Sequence, residues 1–308
     1  MPAMQEPSAS QPAGSPLDFA LLLALATLWG ASYTFIRVGV ATIPPLTLMA
    51  ARTLIAGSLL LAWLAARRTA LPREPAMWRR FGVQALLNSV VPFTLIAWAE
   101  QSVDAGLATI LNSASPVLAF LATWLVTRHE QVTRRKLFGV VAGLAGICLI
   151  IGTSAFGGLG HQLVPQLAIV AATVCYAGAA LYGRAFHGLP AAVPAAGSMV
   201  VGSALLLPAS LLVDHPWTLR PSAASVQALL ALAVFSTATA FVIYFRLIKT
   251  LGSVATTSVA YLRVPIGVAI GMVFLGESLV PTAWAGLVCV VAGVAAMAIP
   301  ARRPQPMQ

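Results

Sequence analysis

Ten apolar stretches, each about twenty residues long, occupy most of this chain and decide what it can become. They fall near 19–40, 46–66, 81–98, 105–126, 137–154, 164–181, 193–213, 226–245, 254–275 and 283–300. Each is long enough to cross a bilayer as a helix, and breakers such as Pro44, Pro45, Pro72, Pro75, Gly157, Gly158, Pro190, Pro216 and Pro221 separate them. With 59% hydrophobic and 8% charged residues and a mean hydropathy of +0.89, too little polar material is left for a water-soluble surface. A cytosolic enzyme, a secreted disulfide scaffold and a disordered chain are excluded. The expected fold class is all-α, a polytopic membrane protein of ten transmembrane helices. Cys148, Cys175 and Cys289 each stand alone in an apolar run, with no spacing that suggests zinc.

The net charge of +10 would suggest nucleic-acid binding in a soluble domain, but its placement argues otherwise. If both termini are cytoplasmic, 14 of the 18 basic residues fall in inside loops and tails, with clusters at Arg67, Arg68, Arg73, Arg79 and Arg80 and at Arg128, Arg134, Arg135 and Lys136. The opposite loops hold only Arg220, while Arg37, Arg52 and Arg263 lie in or at the ends of helices. Retained cations set orientation in short loops, so the charge reads as topology and no nucleic-acid partner is expected. Residues 1–17 contain no Lys or Arg and read as a disordered cytoplasmic tail, with a second cytoplasmic tail at 301–308.

The chain also matches itself. Glu130 and Glu277, Gly139 and Gly286, and Gly146 and Gly293 are all 147 residues apart, and the string Val83 to Leu87 recurs as Val226 to Leu230 at 143. The drift of four residues predicts that the eighth helix is about one turn longer than the third. Two five-helix units follow, 18–154 and 164–300. An odd number of helices inserts the second unit upside down, and such an inverted repeat points to a secondary transporter with a site near the midplane.

Several of these residues resemble the ten-helix EamA branch of the drug/metabolite transporter superfamily. The resemblance is carried by Leu28-Trp29-Gly30-Ala31-Ser32, by Pro44-Pro45 followed by Ala51-Arg52, by Pro116, by the duplicated Glu-Gly-Gly spacing, and by Tyr244-Phe245-Arg246-Leu247-Ile248. It implies a small-molecule transporter of the inner or plasma membrane. Tyr261-Leu262-Arg263-Val264-Pro265 departs from the family's usual Tyr-Leu-x-Pro, with an arginine where the helix should be apolar.

That arginine is the leading site candidate. Arg263 lies near the centre of its span, where snorkelling to water is difficult, and the acids Asp18, Glu100, Asp104 and Glu277 lie at helix ends. It reads as an anchor for an anionic substrate group or as an arginine satisfied by carbonyls and hydroxyls. Arg52, about two turns into its helix, either lines the cavity or bonds a broken helix end. Trp29 and Tyr33, with Tyr176 and Tyr244, are candidates for an aromatic wall, against plain packing. Asn88 and Asn112, beside Pro92 and Pro116, sit where helices break and backbone groups need partners, with interhelical bonding as the alternative. Glu130, Glu277, Pro116, Pro265, Gly139 and Gly286 are expected to be structural. Each glutamate would face the positive N-terminus of the helix that follows it. Gly139-x-x-x-Gly143 and Gly267-x-x-x-Gly271 permit close helix contact, within the bundle or in a homodimer.

No metal site, cofactor or catalytic constellation is expected, and an integral membrane enzyme is the weaker alternative class. The cationic interior favours a carboxylate-bearing metabolite such as an amino acid. Nucleotide-sugar or sugar-phosphate exchange is the runner-up, and multidrug export a third reading, although the first helix lacks the carboxylate that organic cations would need. With no acid expected inside the membrane, transport should be passive or by exchange.

Overall fold

The computed structural model describes residues 15–127, 134–156, 160–251, 256 and 259–298, and every regular element among them is helical. Local sequence explains where the helices start. Helix α1 (Pro16–Gly39) opens on a reciprocal cap: the Ser15 hydroxyl accepts the Asp18 N–H, and the Asp18 carboxylate accepts the Ser15 N–H. Helix α2 (Pro45–Ala66), α3 (Pro75–Ala85) and, near the end of the chain, Pro281–Ala298 also open on proline, which lacks the N–H a first turn leaves unpaired.

Among the described residues, three spans are interrupted in mid-course. A π turn (Leu86–Val90) joins α3 to α4 (Val91–Ala99), and the fourth segment splits into α5 (Ala105–Asn112) and α6 (Ser115–Thr127) just before Pro116. After α7 (Arg134–Phe156), α8 (Gly160–Tyr182) and α9 (Ala192–Val213), a second π turn (Val234–Thr239) joins α10 (Ala223–Ala233) to α11 (Ala240–Thr250). Helices α12 (Val259–Leu275) and α13 (Pro281–Ala298) complete the described chain. The continuous eighth helix, Ala223–Thr250, has 28 residues against 25 for the third, Pro75–Ala99. The extra length is three residues, close to the turn expected, and both helices contain a π segment.

Among the described residues, six helices are long and apolar enough to cross a membrane: Pro16–Gly39, Pro45–Ala66, Pro75–Ala99, Gln162–Phe186, Ala192–Val213 and Ala223–Thr250. Shorter apolar helices cover Ala105–Leu118, Leu262–Leu275 and Pro281–Ala296. Large apolar side chains such as Leu212, Val273 and Phe274 are about three-quarters exposed, a surface suited to lipid rather than water.

Neighbours in the bundle come largely from opposite halves of the chain. Helix α1 packs on α12, α10 and α11, α8 packs on α4, α5 and α6, α2 packs on α9, and α7 on α13. Glycines set the closest crossings. A Cβ on Gly286 would lie 2.8 Å from the Gly146 carbonyl oxygen, one on Gly146 would lie 2.7 Å from that of Gly286, and one on Gly293 would lie 2.7 Å from that of Gly139. Helices α7 and α13 therefore meet backbone to backbone. Residues 1–14, Glu130 and the tail at 301–308 lie outside the described residues.

Candidate functional site

Four helices enclose a small cavity. Ser32, Tyr33 and Ile36 of α1, Arg52 of α2, Phe93 and Ile96 of α4 and Tyr176 of α8 line a volume of about 30 Å³. That is room for more than one water molecule beside the guanidinium of Arg52.

Arg52 is the charged member of this lining, and it is 6% exposed. Its Nε donates to the Thr237 hydroxyl at 3.0 Å, its Nη1 lies 3.8 Å from the Met49 sulfur, and its guanidinium carbon stands 3.8 Å from the centre of the Phe93 ring. A hydroxyl, a thioether and a ring face hold the cation, and among the described residues it has no carboxylate partner. The packing of α9, α10 and the π turn at Val234–Thr239 against α2 keeps it inside, as a cavity-lining residue. Thr237 itself had no signal in the sequence.

A second set of residues runs along one side. Asn112 Nδ2 donates to the Tyr33 hydroxyl, its Oδ1 accepts from the Thr173 hydroxyl at 3.1 Å, and its backbone carbonyl lies 3.5 Å from Arg263 Nη2. Arg263 is half-buried and its Nε has no hydrogen-bond partner. The close approach of α1 and α12 places it there: a Cβ on Gly30 would lie 2.8 Å from the Arg263 carbonyl oxygen. Trp29 packs against Tyr244 and Phe241 with ring centres 5.5 and 6.4 Å apart. The structure thus brings Tyr33, Arg52 and Tyr176 to one cavity and chains Asn112 and Arg263 to it through Tyr33. Trp29 and Tyr244 form a neighbouring aromatic pair. Asn88, half-buried in the π turn, joins neither the cavity lining nor these hydrogen bonds.

Glu277 sits differently from the sequence expectation. Its two carboxylate oxygens accept the backbone N–H groups of Ala105 at 2.7 Å and Gly106 at 2.8 Å, so it caps α5 of the other half rather than α13, the helix that follows it. Two features redirect it. Helix α13 opens on Pro281, which has no N–H to offer, and Gly106 and Gly271 leave room for the carboxylate; a Cβ on Gly271 would lie 2.5 Å from its Oε2. Pro265 lies inside α12 and Pro116 in the first turn of α6, while Gly139 and Gly286 are both buried.

Sequence reasoning missed Glu100. It follows the last residue of α4, but it is wholly buried, and neither carboxylate oxygen has a hydrogen-bond partner. Arg37 Nη1 donates to its backbone carbonyl and not to its carboxylate. Helical spacing could have flagged it, because Phe93, Ile96 and Glu100 share one face of the helix. Among the described residues, no three His, Cys, Asp or Glu side chains cluster to hold a metal ion.

Comparison with known proteins places this geometry in context. The model of the EamA-like transporter family matches the chain twice, over residues 18–152 and 164–299. An uncharacterised inner membrane transporter, YedA of Escherichia coli, is 30% identical over 279 residues, covering 90% of this chain and 89% of its own length. A "probable amino-acid metabolite efflux pump" of Salmonella typhimurium is 26% identical over 294 residues, 90% of this chain and 93% of that protein. A "probable terminal-alkyne amino-acid exporter" of Streptantibioticus cattleyicolor is 28% identical over 205 residues, 65% of this chain and 66% of its own. One solved crystal structure, 20% identical, aligns with a TM-score of 0.65 over 91% of this chain and 96% of that chain, a likeness of fold alone.

Proposed function

The chain belongs to the EamA-like transporter family, and from that premise we propose that it moves a small carboxylate-bearing metabolite, such as an amino acid, across the cytoplasmic membrane by alternating access. The observation that carries the substrate class is Arg52. A cation held inside a membrane protein with no acidic partner is costly, and an arginine fork facing a cavity is matched by a carboxylate in two parallel hydrogen bonds. Tyr33, Phe93 and Tyr176 supply walls for the apolar part of such a ligand. Arg52 takes the anchor role in this reading, and Arg263 supports the wall through Asn112. The names of two relatives, a probable terminal-alkyne amino-acid exporter and a probable amino-acid metabolite efflux pump, point the same way.

The proposed architecture is ten transmembrane helices in two inverted units, 18–154 and 164–300, with both termini cytoplasmic. The pairing of helices supports it. The contact of α1 with α12 is mirrored by that of α8 with α5 and α6, and α7 meets α13 through glycines that correspond at the repeat spacing. Two similar units packed this way can rock about a cavity between them. The activity is transport rather than catalysis.

The test is counterflow in proteoliposomes holding the purified full-length protein. Labelled leucine, phenylalanine and glutamate would be compared with dicarboxylates, sugar phosphates and a quaternary ammonium compound. Exchange of carboxylates, amino acids among them, without exchange of sugar phosphates or the organic cation is the expected result. Uptake of the organic cation alone would reject the substrate class, and uptake of sugar phosphates alone would favour the phosphate reading.

A further inference from the structure

Glu100 ends the face of α4 whose lower part lines the cavity. Phe93, Ile96 and Glu100 follow one another at helical spacing, so the carboxylate stands one turn beyond the cavity wall. It is 0% exposed and both oxygens lack a hydrogen-bond partner. The ionisable groups around it are Arg37 and Tyr33 from α1, Arg52 from α2 and Glu277 from the segment between α12 and α13. None of them pairs with the carboxylate. The Arg37 donor goes to the Glu100 backbone carbonyl, Arg52 is turned toward Thr237 and Phe93, and both Glu277 oxygens accept N–H groups of α5.

A carboxylate sealed from water without a donor is far less stable than the neutral acid. Burial, and after it the nearby Glu277 carboxylate, push this group well above the ordinary carboxylate range, against the weaker pull of Arg37 and Arg52. Opening of this end of the bundle would return water to the group and remove the reason to stay neutral.

We propose that Glu100 is a proton-binding site: it takes up one proton when the end of the molecule around Glu277 closes and gives it back when that end opens. The chemistry is a single exchange. A proton from water forms an O–H bond on one Glu100 oxygen at closure, and the same bond breaks to water on opening. Closure thereby becomes proton-linked, which replaces the passive cycle expected from the sequence. The proposal rests on the alternating-access reading only for the opening motion.

Infrared spectra of the full-length protein in lipid, titrated with alkali, test the site without any transported substrate. The expected result is a protonated-carboxyl carbonyl band at neutral pH that is absent in Glu100→Gln. In Glu100→Asp, which keeps the titrating group, the band should persist at a shifted frequency. Leucine exchange in proteoliposomes, with equal pH on both sides, should fall about tenfold per pH unit above the titration midpoint and become insensitive to pH in Glu100→Gln. Absence of the band in the wild type, or an unchanged band in both variants, would overturn the proposal. Loss of an ionised-carboxylate band in Glu100→Gln instead would also overturn it and make Glu100 a partner for a cationic group. Failure of leucine exchange with the band present would count against the transport reading and leave the proton site standing.

Discussion

Replacing Arg52 by methionine separates what this side chain does for the fold from what it does for a substrate. In this structure the guanidinium donates one hydrogen bond to the Thr237 hydroxyl, about 1.5–3 kcal/mol for a charged donor, and stacks on Phe93 for about 2 kcal/mol in a desolvated site. Against this stands the cost of a cation deep in a membrane protein, about 2.5–3.5 kcal/mol on insertion scales. The two sides nearly cancel. Methionine fills a similar length, so Arg52→Met should change stability by no more than about 2 kcal/mol in either direction, read as the thermal midpoint in detergent. Carboxylate transport is a different matter. Truncating one member of a buried charge pair costs about 2–5 kcal/mol, so carboxylate counterflow should fall by at least about thirtyfold. Arg52→Lys should recover part of the activity, since it keeps the charge and loses the fork. Normal carboxylate exchange by Arg52→Met would refute the anchor. A loss of stability well beyond 2 kcal/mol would refute the claim that the arginine is kept for function.

Three further outcomes follow from particular contacts. Glu277→Gln leaves one acceptor where two charge-assisted bonds of 2.7 and 2.8 Å now cap α5, so the thermal midpoint should drop by the equivalent of about 2 kcal/mol; an unchanged midpoint would mean the cap contributes nothing. Gly286→Ala puts a Cβ 2.5 Å from Ile150 Cγ1 and 2.8 Å from the Gly146 carbonyl and should cost about 1–3 kcal/mol, while Gly82→Ala, with nothing within 4 Å, should be neutral or slightly stabilising in the same assay. Because the folded protein holds a proton on Glu100 that the unfolded chain would release above about pH 4.3, stability should fall as pH rises from that value toward the raised folded one. Glu100→Gln should flatten that slope, and equal slopes in both proteins would remove Glu100 as its source.

Some of this architecture was legible because it is written in periodic or paired signals. Apolar runs marked the helices, proline and the Ser15–Asp18 cap marked their starts, and the 147-residue spacing marked Gly139, Gly146, Gly286 and Gly293, which meet where α7 crosses α13. The candidate site was partly legible. Tyr33, Arg52 and Tyr176 could be named as polar or aromatic residues in apolar runs, and they line one cavity. Their relative roles could not be read, because burial of a cation is set by which helices pack on it. Arg263, the more central in sequence, is half-buried beside the Asn112 carbonyl, whereas Arg52, only two turns from its helix start, is enclosed by residues that follow it by more than forty and by nearly two hundred positions.

Glu100 and Glu277 show the same limit in acidic residues. Both sit at the edges of apolar segments, where sequence alone allows an acid to face water or cap the nearest helix. Which happens depends on partners from the other half of the chain. Gly106 and Gly271 leave space for Glu277, and Ala105 and Gly106 present N–H groups to it that their own helix leaves unpaired, so that carboxylate is satisfied by residues 172 and 171 positions away in the chain rather than by the helix that follows it. The Glu100 carboxylate has no such donor, and Arg37 donates to the Glu100 backbone carbonyl instead. Two acids that look alike in the sequence end as a bonded structural cap and an unbonded buried carboxyl. Closure at this end of the bundle creates the difference, and opening would remove it; on that ground the proton is linked to the motion rather than to either residue alone.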